Sequence, residues 1–136
     1  MNVALRLSPE SLSRLSAYND ADLGPHAQAL WRDLCAAAAA GLSLAVVVLA
    51  AALIDVVAHE DAGPAGYLDG AAFSFAGNKA ALGWLRRRRN GILHHEQPTD
   101  GLMGESDAAR WLLADAERAV ATLLEYLADL DVGAAD

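Results

Sequence analysis

Twenty consecutive residues, Cys35 to Ile54, carry no charge, and Asp33 and Asp55 stand just outside the two ends. A helix that is apolar on every side must be covered on every side, which fixes much of what can surround it. Its length also matches the roughly 20 residues that cross a bilayer, so a membrane span competes with a buried helix. The run is rich in alanine, which drives insertion weakly, its ends are acidic, and no basic loop beside it sets an orientation. These features favour the centre of a helical bundle or a dimer interface. They predict a protein that does not enter the membrane.

The rest of the chain reads as helix and connector. Ser8, Pro9 and Glu10 make a helix start, with a hydroxyl cap, a proline at the first helical position and an acid in the first turn; that helix is expected to reach about Tyr18. Asn19 to Asp22 connects it to Gly24 and Pro25. From His26 one long helix is expected to run to about His59, with a kink at Gly41. Glycine and proline between Asp61 and Gly66 break the chain. A short helix capped by Asp69 is expected from Tyr67 to Ala76. Asn78 is expected to cap a helix whose buried stripe holds Leu82, Trp84 and Leu85. After a loop from Thr99 to Glu105, Ser106 is the expected cap of a last helix, with Asp107 in its first turn. Leu112, Ala116, Ala119, Val120, Leu123, Leu127 and Leu130 repeat at threes and fours, and Gly133 is its expected end. With no strand alternation and no internal repeat, the fold class expected is all-α, an up-and-down bundle of four or five helices in a single domain over residues 1–136.

The formal charge is −8, with ten basic residues against eighteen acidic ones. Such a surface repels nucleic acid in general, so any contact with RNA must be local and sensitive to salt. A lone Cys35 excludes a disulfide framework and a cysteine-rich zinc site, and fits a reducing cytoplasm. No apolar core follows a basic start at the N-terminus, so no signal peptide is expected.

Four of the ten basic residues and two of the four histidines lie between Leu85 and Glu96, LRRRRNGILHHE. Arg86 to Arg89 present planar guanidinium forks that never deprotonate and suit phosphate. His94 and His95 follow, and imidazole both accepts and donates a proton near neutrality. Together these are the minimum equipment for cutting RNA without a metal, because the attacking 2′ hydroxyl is already in the substrate. On a helix, Arg86, Asn90 and His94 are four apart and share a face, whereas Arg89 and His94 are about 140° apart. Either Gly91 distorts the helix, or Arg89 meets the His94 of another copy. The plain alternatives are a solvated basic face for the arginines and a helix C-terminal cap for the histidines. Neighbouring residues on a helix diverge, so His94, His95 and Glu96 are not expected to hold a metal.

Arg89 and Asn90, three further residues, then His94, His95 and Glu96 resemble the signature of the HEPN superfamily, and look most like its Abi-like (abortive infection) branch. The resemblance implies an all-helical domain that dimerises, joining two copies of the motif in a metal-independent endoribonuclease site with no cofactor. It implies Arg89, Asn90 and His94 as catalytic residues. Arg86, Arg88, His95 and Asp55 are the expected substrate-binding or orienting residues, Asp55 because it is an acid on a helix that otherwise buries itself. The implied partners are RNA, a second copy and a cognate antitoxin protein, in a toxin or phage-defence setting. A non-catalytic RNA-binding or dimerisation module is the competing expectation. Where one branch of the superfamily has a tyrosine two residues after the histidine, this chain has Glu96, so regulation through such a tyrosine is not expected.

Overall fold

The computed structural model describes residues 6–61, 79–99 and 101–135. It is all-α: α1 (Pro9–Ala17), a single 3-10 turn (Asp20–Asp22), α2 (Pro25–Ala40), α3 (Ser43–Asp61), α4 (Lys79–His94) and α5 (Ala108–Ala135), with no strand among the described residues. The break and the short helix expected between residues 62 and 76, and the Asn78 cap, lie outside those residues.

α3 is the central helix and packs against α2, α4 and α5. Val46, Val47 and Leu53 from α3 meet Leu34 from α2, Leu85 from α4 and Val120, Leu123 and Leu127 from α5 in one buried cluster. Burying each such side chain is worth roughly 1.5–3 kcal/mol, so this cluster supplies much of the drive to fold. Within the stripe expected on α5, Ala116, Ala119, Val120, Leu123 and Leu127 are buried.

The long helix expected from His26 to His59 is two helices. Gly41 is not a kink but a stop: its φ of 74° puts it in the left-handed region. Its N–H donates to the Ala38 carbonyl at 3.2 Å and the Leu42 N–H to the Ala37 carbonyl at 2.9 Å, the double closure that ends many helices. The chain reverses there, so the charge-free run Cys35 to Ile54 is not one continuous span. α3 alone, over Ser43–Glu60, is long and apolar enough by length and composition to cross a membrane. Gly41→Ala places a Cβ in the left-handed region and is expected to cost about 1–2 kcal/mol, lowering the urea midpoint. An unchanged midpoint would mean that the reversal does not depend on that conformation.

Helix starts are held by acids from distant elements. Glu60, near the end of α3, accepts from the His26 and Ala27 N–H groups at 3.2 and 3.1 Å and so caps α2. Glu117 of α5 does the same for α1, accepting from the Ser8 N–H and from the Ser8 and Ser11 hydroxyls, while the Ser8 hydroxyl takes up the Ser11 N–H. α5 begins at Ala108, later than a Ser106 cap implies, and continues through Gly133 to Ala135. Glu105 organises the approach to it, accepting from the N–H groups of Gly101 and Met103. Those bonds hold its carboxyl below the ordinary value of 4.5. Burial raises the Cys35 thiol, with Asp20 adding to it, so this sulfur is poorly disposed to form a thiolate.

Candidate functional site

α4 carries the basic motif, and alanine, leucine and arginine make it a good helix former. It runs without interruption from Lys79 to His94, so Gly91 does not distort it. Its buried residues are Ala81, Leu82, Leu85, Arg88 and Gly91. This inward phase decides what becomes of each arginine.

Arg88 points inward. It is 8% exposed, and its Nε donates to Asp115 of α5 at 2.6 Å, with Nη1 3.4 Å from the Thr99 hydroxyl. One turn earlier, Trp84 lies under Arg118 of α5, whose guanidinium carbon is 4.1 Å from the ring centroid. Arg88, expected to face a substrate, therefore joins α4 to α5, and its charge is matched by an acid of the same chain.

Arg89 leans to the other flank. Its Nη1 donates to Asp55 of α3 at 2.8 Å, and its Nε to the Asn90 side-chain oxygen at 3.2 Å. Arg86 approaches the same carboxylate at 3.7 Å. Asp55 lies within α3, which continues to Asp61, and it pairs with two arginines of the motif. The carbonyl of Asp55 accepts from the His59 ring at 2.7 Å. Because Asp55 is 39% exposed, solvent screens these pairs. Asp55→Asn is expected to lower stability by under about 1 kcal/mol, a shift of a few degrees in melting temperature. A loss of cooperative unfolding in that variant would show that the pairs hold α4 in place.

The outward face of α4 holds Arg86, Arg87 and His94, all exposed, with half-buried Asn90 among them. Arg87, Asn90 and His94 are spaced three and four apart and so lie in one line. Arg87 is the residue that the sequence reading left out of the site. The signal was there in the phase of the helix, because Leu82 and Leu85 lead inward to Arg88 and leave Arg87 above His94. Arg89 and His94, on an unbroken helix, remain about 140° apart and do not converge within one chain.

At the end of α4 the backbone of His95 turns left-handed, with φ 54°, and Gln97 follows at φ 45°. His95 is exposed immediately after the helix. The returning chain crosses close to Gly91, where an added Cβ would sit 3.3 Å from the Glu96 carbonyl oxygen. Between helix and returning chain lies a pocket of about 310 Å³, walled by Trp84, Arg87, Asn90 and Gly91 from α4 and by Glu96 and Gln97 beyond it. Arg88 and Thr99 complete its lining. Among the described residues, no group of three or more His, Cys, Asp or Glu is placed to hold a metal ion.

Comparison of the chain with protein-family models, with curated proteins and with solved structures gives no match in any of the three.

Proposed function

We propose that the protein is a metal-independent endoribonuclease of HEPN type, acting in the cytoplasm as a homodimer, and that it serves as a toxin or phage-defence effector restrained by a partner antitoxin. The observation that carries this reading is the line of Arg87, Asn90 and His94 on the open face of α4, with Arg89 tied to Asn90 from the flank. It gathers phosphate-binding cations and an imidazole on the one basic strip of an acidic chain. In the reaction proposed, the 2′ oxygen attacks the neighbouring phosphorus and the bond to the 5′ oxygen breaks. One proton leaves the 2′ oxygen and another reaches the 5′ oxygen, both through imidazole. Arg89 stabilises the charge that builds on the phosphate.

A second copy would bring its own His94 to Arg89. Leu44, Val48 and Ala52 of α3 repeat every four residues along a partly exposed apolar face that leads to Asp55, and Leu93 of α4 is 53% exposed. Apolar surface beside a half-assembled site is what a self-complementary interface requires.

A non-catalytic RNA-binding or dimerisation module is favoured by a different observation: Arg88 and Arg89 are both engaged by acids of their own chain. Incubation of the purified protein with single-stranded RNA in EDTA separates the two. Cleavage is expected, leaving 2′,3′-cyclic phosphate and 5′-hydroxyl ends. Ends bearing 5′ phosphate, or activity that chelation abolishes, would overturn the mechanism. RNA that is bound but left intact would select the non-catalytic module.

A further inference from the structure

We infer that the pocket between α4 and the returning chain is a binding site for a single guanine nucleotide. At about 310 Å³ it stands at the small end of small-molecule sites, with room for one base and its sugar rather than a length of polymer. The polar side chains of its lining residues form a mixed set. Glu96 offers only acceptors, Arg87 only donors, and the amides of Asn90 and Gln97 offer both. The Asn90 oxygen already accepts from Arg89, which leaves its NH₂ to donate. Trp84 adds an aromatic wall beside them.

Of the four RNA bases, guanine answers this set most completely. Its Watson–Crick edge presents two adjacent N–H donors, which suit the two oxygens of one carboxylate. Its O6 and N7 present two acceptors, the pair that arginine recognises. Adenine and cytosine each set a ring acceptor beside their single amino group, so a carboxylate there meets a lone pair. Uracil has one N–H between two carbonyls. Single-stranded RNA is read through these base edges once a base is unstacked. Arg87 and Asn90 belong both to the pocket and to the line that ends at His94, one turn on. A guanosine held there would have its phosphate beside the imidazole. That last placement, and it alone, rests on the ribonuclease reading.

Binding of guanosine 3′-monophosphate is compared by calorimetry with that of the adenosine, cytidine and uridine monophosphates, on the wild type and on Glu96→Gln and Arg87→Ala. Glu96 and Arg87 are exposed, so both variants are expected to fold, with circular dichroism as the check. The wild type is expected to hold the guanosine nucleotide on the order of tenfold more tightly than the others. Glu96→Gln, which exchanges one acceptor for a donor, should erase the preference, and Arg87→Ala should weaken binding of guanosine nucleotide. Equal affinity for the four nucleotides, no binding of any, or a preference that survives Glu96→Gln overturns the inference. Guanosine binding in a protein that leaves RNA intact would sustain the pocket and remove the ribonuclease. Cleavage with no guanosine preference would do the reverse.

Discussion

Arg88→Ala is expected to melt roughly 10–15 °C below the wild type, the equivalent of about 3 kcal/mol at this chain length. The guanidinium is almost wholly buried, and its removal leaves the Asp115 carboxylate facing the α4 and α5 interface without its cation. Breaking a buried pair by deleting one member is costly because the survivor keeps its desolvation without its partner. Asp115 remains 21% exposed, which holds the loss near the lower end of the usual range. Replacing both at once, Arg88→Met with Asp115→Leu, should recover most of the stability, since apolar groups of similar size need no partner. A shift of less than about 2 °C in Arg88→Ala would mean that the pair contributes little to stability. The same substitution is a poor probe of RNA cleavage, because lost activity would follow from lost structure.

His94→Ala is expected to do the opposite, leaving the melting temperature almost unchanged and lowering the rate of RNA cleavage by roughly 10²- to 10⁴-fold. The side chain is exposed in the last turn of α4 and takes no part in the core. RNA affinity should barely move, because the arginines proposed to meet phosphate are intact. Arg89→Lys keeps the charge but gives up the planar fork that spans Asp55 and Asn90, and is also expected to slow turnover. Cleavage by His94→Ala at the wild-type rate, in a preparation free of contaminating nuclease, would remove the imidazole from the mechanism.

The helical character of the chain, the start of α1 at Ser8 and Pro9 and the stripe on α5 were all legible in the sequence, because each rests on local chemistry or on a period that one helix displays. The division between α2 and α3 was not. Gly41, Leu42 and Ser43 sit between long runs of alanine and valine, and a single glycine followed by one serine inside such a run is tolerable in a continuous helix. What ends the helix is backbone closure at Gly41 together with the packing of α3 against α2, and the second of these is tertiary. The acids that Arg88 and Arg89 meet were equally hidden. Arg88 is drawn inward by Asp115, 27 positions away, and Arg89 sideways by Asp55, 34 positions away. Which acid each of four identical side chains meets cannot be read from the row itself. The helical phase alone was enough to prefer Arg87 over Arg88 for the open face, had Leu82 and Leu85 been followed one turn further.

The dependence of α1 on Glu117 has a consequence in time. The cap and its acceptor are 109 residues apart, so at ordinary rates of synthesis, roughly 5–20 residues per second, α1 leaves the ribosome about 5–20 s before the group that completes its first turn. A nine-residue helix has little stability by itself in water. α1 is therefore expected to complete its first turn only after Glu117 has been made. A nascent chain halted before Glu117 would lack the acceptor that closes the start of α1, and with α5 incomplete it would lack part of the packing that buries Leu7 and Leu15.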